Sequence, residues 1–298
     1  MPSHEEIIEY YRWKQAEYLG KYGVNGRVHA HVGCHDSETE QNLFVPGWIR
    51  PEIGADRLRA TMHDGQERNV HVLLRRARRW HGNISKALDC GAGLGGTSFL
   101  LADQYGIDVT SLTIVPEQVD FIAAQTAKLA LQGKVVPVVG DAHSDTWWNG
   151  TAYDLVIALD AVCQIGDPAT LFPSLAAMQP AGGVLAIADH FVSSCNSSIA
   201  RYYNTYWVSA IGDLRTCLSA IEQAGYRIRL VVDASESQLP YWKLSLAYSS
   251  LAEKDRTEIR RRETAHFHSA MLSAYRAGEV QYFHVIASRS KTAAPPKR

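Results

Sequence analysis

The stretch LDCGAGLGG, residues 88–96, decides how the rest of the chain is read. Ala87, Leu88 and Cys90 form a small, apolar lead-in. One acid, Asp89, interrupts it, and glycine then recurs at Gly91, Gly93 and Gly96. The spacing is G-x-G-x-x-G: a buried strand entering a tight turn that opens a helix, with backbone able to approach a nucleotide-like ligand. Taken alone the pattern is weak, because a strand-to-helix turn that binds nothing has the same look. The segments on either side supply the context.

Strand-like and helix-like segments alternate from Lys86 onward. KALDC (86–90) precedes the glycine turn and TSFLLADQYG (97–106) follows it as a helix closed by Gly106. DVTSLTIV (108–115), KVVPVVGDA (134–142), YDLVIALDAV (153–162) and GVLAIADHF (183–191) continue as strands. Between them, PEQVDFIAAQTAKLAL (116–131) has Pro116 at a helix start, and PATLFPSLAAMQPAGG (168–183) is helical and then breaks. LRTCLSAIEQAGYRIRLVVDAS (214–235) gives a helix and a sixth strand, and EVQYFHVIAS (279–288) a last one. The expected class is α/β, Rossmann-like, with a mostly parallel seven-stranded sheet covered on both faces. Residues 1–80 read as a helical N-terminal cap, 81–290 as the ligand-binding domain with a helical lid over about 234–278, and 291–298 as a disordered tail.

Composition narrows the partners. The chain has 298 residues, 46 % hydrophobic and 20 % charged, with a net charge of −1. The near-neutral balance gives no basic field for nucleic acid. RRARR (75–79) reads as a solvated helix face, with an anionic contact as the other option. The five cysteines carry no C-x-x-C pair, which suits a reducing, cytoplasmic setting. The acidic, aromatic MPSHEEIIEYY start is no signal peptide, and no apolar run approaches the ~20 residues of a membrane span. A small-molecule substrate is expected, with no nucleic acid and no membrane, and with homo-oligomerisation through the aromatic N-terminal helix as an option.

Two details choose among nucleotides. Asp89 makes the turn D-x-G-x-G, placing an acid where it can hold a cationic amino group. A nicotinamide dinucleotide asks for an acid at the end of the second strand, and Thr113 stands there. GDA (140–142) then closes the third strand with an acid placed to receive an adenine amino group.

These residues resemble the class I S-adenosylmethionine-dependent methyltransferases over roughly residues 87–189. VTSLTIVPEQVDFI (109–122) is similar to the V-T-G-I-T-x-S-P-x-Q stretch of one subgroup. That subgroup holds cyclopropane fatty-acid synthases, sterol and tocopherol methyltransferases and prenyl or indole C-methyltransferases. IALDAVCQIGD (157–167) resembles its A-x-E-x-x-x-H segment, with Asp160 in place of the glutamate and Gln164 near the histidine. IEYYRWKQAEYLGKYG followed by VHAHVG resembles its aromatic helix and H-x-H-x-G stretch, and AYRAGEVQYFHVIASR its closing helix and strand. The resemblance implies S-adenosylmethionine (SAM) as cofactor, its amino-acid end near Asp89, Gly91 and Gly93. It implies a ribose near Thr113 and Gln118, an adenine near Asp141 and Ala142, and a pocket completed by Ile114, Leu159 and Tyr18.

Methyl transfer to carbon asks for groups that stabilise a cation and take up a proton. The catalytic candidates are Asp160, His190, His31 and Tyr11, and the substrate-binding candidates are Tyr10, Gln164, Tyr203 and Trp207. Asp160 is the strongest, because an acid inside DLVIALDAV is costly to bury unless paired. Tyr11, Tyr18 and Tyr22 recur at helical spacing, which core packing also explains, as it does for Tyr203, Tyr206 and Trp207 on one helical face. His29, His31 and His35 alternate without a zinc-like pattern, so no metal is expected. The expected function is methyl transfer to an electron-rich carbon, an indole C3 or a prenyl or alkene carbon, of a small specialised metabolite. N- or O-methylation of an amine or phenol and non-catalytic SAM binding stay open.

Overall fold

The computed structural model describes residues 2–45, 48–50, 52–251 and 258–290. The tail read as disordered, 291–298, lies outside them. Seven strands form one sheet: β1 (Lys86–Cys90), β2 (Asp108–Thr113), β3 (Val135–Val139), β4 (Leu155–Leu159), β5 (Val184–Val192), β6 (Tyr226–Asp233) and β7 (Val280–Arg289). Their spatial order is β6-β7-β5-β4-β1-β2-β3. β1 to β5 are parallel, and β7 runs antiparallel to both β5 and β6.

The burial pattern explains the parallel part. Every residue of β4 and of β5 is buried, as expected for strands covered on both faces. From β1 the chain builds outward through β2 to β3, then crosses back to β4 on the other side of β1. That reversal opens a crevice beyond the carboxyl ends of β1 and β4. Gly91 lies beyond the first of these ends and Asp160 beyond the second.

Among the described residues nine longer helices surround the sheet: α1 (His4–Tyr22), α2 (Ala55–Ala77), α3 (Gly96–Tyr105), α4 (Pro116–Lys128), α5 (Pro168–Ala177), α6 (Ser198–Trp207), α7 (Leu214–Gln223), α8 (Ser235–Leu251) and α9 (Glu258–Arg276). α1 starts at a capping box, Ser3 and Glu6 satisfying each other's backbone N–H groups. α1 leads into a two-stranded hairpin, Gly23–Val24 with Arg27–Val28, turned at Asn25 and Gly26 with positive φ at both. No described helix is long and apolar enough to cross a membrane.

Two expectations change. RRARR is not simply a solvated face: α2 ends at Ala77, Arg76 turns inward to the buried His284 of β7, and Arg78 lies over the Tyr105 ring at 4.8 Å. His190 sits inside β5, opposite Tyr282, rather than at the strand's exit.

Candidate active site

The crevice holds a cavity open to solvent. Asp89 closes one end, buried at 3 % exposure, accepting a hydrogen bond from the Ser98 hydroxyl at 2.6 Å; Ser111 in turn donates to Ser98 at 2.7 Å. Burial pushes the Asp89 carboxyl up to about 6, against the pull of the Ser98 hydrogen bonds. The turn that follows depends on glycine. Gly91 has φ +78°, and a Cβ there would meet Ala161 Cβ at 2.7 Å. Gly96 allows the hairpin to press on the start of α3, since a Cβ there would lie 2.4 Å from the Val28 carbonyl oxygen.

The middle of the cavity is set by the end of β2. Thr113 Oγ1 donates to Gln118 Oε1 at 2.6 Å and accepts from the Val115 N–H at 3.2 Å, which fixes Gln118 against the cavity. Ile114 and Leu159 line it too. At the far end, Asp141 accepts from the His143 N–H at 2.9 Å and has His4 Nε2 of α1 at 3.6 Å. Burial pushes the Asp141 carboxyl up, and the His143 hydrogen bonds outweigh it and hold it below its ordinary range. Ala142 lies beside it. Every residue expected to hold the cofactor therefore lines this cavity except Tyr18.

Tyr18 faces a second, smaller cavity under α1. Tyr11, Ala30, His31, Asp160 and Gln164 line both cavities and form the wall between them. His190, Tyr203 and Trp207 line only the second. Tyr10 lines neither. It packs edge-on against Tyr11 and Trp207. Tyr203, Tyr206 and Trp207 all pack on Phe267 of α9, Tyr206 stacking on it at 3.8 Å. Tyr241, Trp242 and His268 complete the cavity, and their sequence showed only that α8 and α9 are rich in aromatic residues.

Asp160 is the hub of the dividing wall. It takes a left-handed backbone, φ +49°, uncommon for a residue with a side chain and held here by tertiary contacts. The Val32 N–H donates to its Oδ2 at 2.7 Å, the Tyr282 hydroxyl to its Oδ1 at 2.8 Å, and His190 Nε2 lies 3.6 Å from Oδ2. Burial pushes this carboxyl up; His190, His31 and the Val32 N–H outweigh it, keeping Asp160 ionised below its ordinary range. His190 Nδ1 meets the Tyr275 hydroxyl at 2.6 Å. The neighbouring Asp189 is pushed up to about 6 by burial and by Asp160.

The histidine stretch is held from α2. Gln66 Nε2 donates to the His29 and His31 carbonyl oxygens at 2.7 and 2.6 Å, and Asn69 Nδ2 to the Val32 carbonyl oxygen and Tyr282 hydroxyl at 3.0 Å each. Both His31 nitrogens already face partners: Nδ1 the Val32 carbonyl oxygen at 3.0 Å, and Nε2 the His29 Nδ1 at 3.2 Å. Tyr11 bonds Gln164 across the wall.

The residues fit SAM. A buried acid for an ammonium group, a glycine cradle that a Cβ would fill and polar groups further along the cavity occur in the order of the cofactor's own parts. Comparison with known proteins agrees. A family model described as a methyltransferase domain matches residues 88–187. A sterol methyltransferase-like protein of Botryococcus braunii is 26 % identical over 53 % of this chain and 43 % of its own length. The O-methyltransferase cnsE of Penicillium expansum is 29 % identical over 72 % of this chain and 71 % of its own. The chain spans less than half the length of the first of these curated relatives. A geranyl diphosphate C-methyltransferase structure from Streptomyces coelicolor superposes with a TM-score of 0.77 at 19 % identity, covering 97 % of this chain and 98 % of that one, a likeness of fold. Residues 88–187 therefore carry a methyltransferase domain, the chain has the class I S-adenosylmethionine-dependent methyltransferase fold, and S-adenosylmethionine is the cofactor such a domain uses.

Proposed function

We propose that the chain transfers a methyl group to an electron-rich carbon of a small metabolite, an indole or an alkene without a diphosphate. The observation that carries this reading is the second cavity. It shares the Asp160 wall with the cofactor cavity and is otherwise mainly aromatic, and among the described residues no Lys or Arg lines it. A diphosphate asks for cationic partners that this lining does not offer.

When bound, SAM supplies a methyl on a positively charged sulfur and leaves as a neutral thioether. The chain's own residues do the rest. Asp89 holds the ammonium end, Thr113 with Gln118 the ribose and Asp141 with Ala142 the adenine, while Ile114 and Leu159 pack beside them. Tyr11 and Gln164 close the wall and orient the acceptor. An acceptor carbon that gives its π pair to the methyl becomes cationic. The faces of Tyr18, Trp207 and Trp242 stabilise that charge by about 0.5–2 kcal/mol each when desolvated, and the ionised Asp160 adds to them. Loss of a proton restores the double bond, and the ionised Asp160, steadied by His190, takes it. His31 has both nitrogens engaged and serves as part of the wall facing Asp160. Residues 1–80 act as the cap that excludes water, through α1, and 234–278 as the lid.

The test is turnover with indole and alkene acceptors, read as S-adenosylhomocysteine formed and as the fragmentation spectrum of the product. A methyl on carbon is expected. A methyl on nitrogen or oxygen replaces this reading by N- or O-methylation, and donor binding without turnover on any acceptor leaves a SAM-binding protein. Asp160→Asn should lower kcat about 100-fold while leaving SAM affinity within about threefold; unchanged kcat rejects the role of Asp160.

A further inference from the structure

Behind the cofactor cavity lies a cluster the reaction above does not use. His29 follows the hairpin, while His63 and Glu67 stand one turn apart on α2. One ligand atom from each lies within 4.8 Å of the others. His63 Nε2 is 3.2 Å and His29 Nε2 3.9 Å from Glu67 Oε1. Tetrahedral bonds of about 2.1 Å to zinc would space ligands roughly 3.4 Å apart, so the three atoms need only small shifts to surround an ion. His29 Nε2 is also a buried ring nitrogen without a hydrogen-bond partner, which in a polar cluster asks for explanation.

We propose that His29, His63 and Glu67 bind a divalent transition-metal ion, of which zinc is the example. Two imidazoles and one carboxylate are a common ligand set for such ions, leaving a further position for water. Arg27 is the competing cation. Its Nε donates to Glu67 Oε1 at 2.7 Å, and its Nη1 reaches Asp103 at 3.3 Å. A carboxylate has about four lone-pair sites, so the guanidinium leaves Glu67 able to bind the ion, and Asp103 offsets part of the added positive charge.

The orphaned nitrogen is then accounted for, and so is the contact on the ring's other side. A histidine bound through Nε2 carries its proton on Nδ1. Here that proton points to His31 Nε2 at 3.2 Å, which leaves His31 to donate from Nδ1 to the Val32 carbonyl oxygen. The ion would thus fix one tautomer of His31 in the wall facing Asp160, and tie the hairpin to α2. Its role is positioning; none of its ligands belongs to the acceptor cavity.

The test uses the full chain, free of any affinity tag and stripped with chelator. Titration with Co²⁺ should give the visible bands of a low-coordinate site, saturating at one ion per chain, and Zn²⁺ should displace it. Glu67→Gln and His63→Gln should each weaken Co²⁺ binding by roughly tenfold or more, with SAM titration confirming that the variants are folded. A second readout needs no variant: saturating Zn²⁺ should raise the thermal midpoint of the wild-type chain. Absence of stoichiometric binding, an unmoved midpoint, or binding that survives both substitutions overturns the site. None of these outcomes depends on which acceptor is methylated.

Discussion

The two cavities that meet at Asp160 are built differently. The cofactor cavity is largely backbone and short side chains, drawn mainly from one stretch, residues 89–165, at the ends of consecutive strands, with α1 and the histidine stretch closing it. The second cavity is side chains, drawn from α1, the histidine stretch, the ends of β4 and β5, α6, α8 and α9. The first is specified by where the chain turns; the second by what distant helices happen to carry. A ligand common to a whole family suits the former, and a private ligand the latter.

Substitutions can break that contrast. The largest effect is expected at Asp89. Asp89→Asn removes a charged hydrogen bond worth about 2–3 kcal/mol, so SAM affinity should fall about 30- to 150-fold by calorimetry while acceptor binding is spared; a change below threefold would mean that the glycine turn alone holds the donor. Next comes pH. Burial raises the Asp89 carboxyl to about 6, and an ammonium ligand favours the ionised form. Donor affinity should therefore be full above pH 6 and fall as pH drops through it, about tenfold between pH 7 and pH 5. The Asn variant should lack this step; the same slope in both would move its origin elsewhere. The smallest effect separates the second cavity. Trp207→Ala should raise the acceptor KM about fivefold, through lost cation–aromatic and packing contacts, with SAM affinity unchanged. A shift in SAM affinity instead would show that the wall does not insulate the two halves.

The same contrast explains what could be read in advance. The glycine spacing, Asp89, Thr113 and Asp141 were legible because turn chemistry is local and strands β1 to β5 follow one another. Asp160 was legible as a misplaced charge in an apolar run. The surroundings of Tyr10 and Tyr18 were not legible, because helical spacing gives a face without saying which cavity lies opposite it. Tyr241, Trp242 and His268 had no local mark, since their depth comes from α8 and α9 folding back on the sheet. His63 and Glu67 did carry a signal, four residues apart on one helix face, but their partner His29 arrives from a hairpin 34 residues earlier in the sequence.

The placing of β7 also orders events in time. Of the seven strands it is the last to be synthesised, yet it lies inside the sheet, between β5 and β6. While the chain emerges from the ribosome, β1 to β5 can associate, whereas β6 has no neighbour until residues 280–289 arrive. Tyr275 and Tyr282, which steady His190 and Asp160, arrive with that late segment. The donor-binding half of the site can therefore form before β7 is made, whereas the hydrogen bonds that steady His190 and Asp160 cannot.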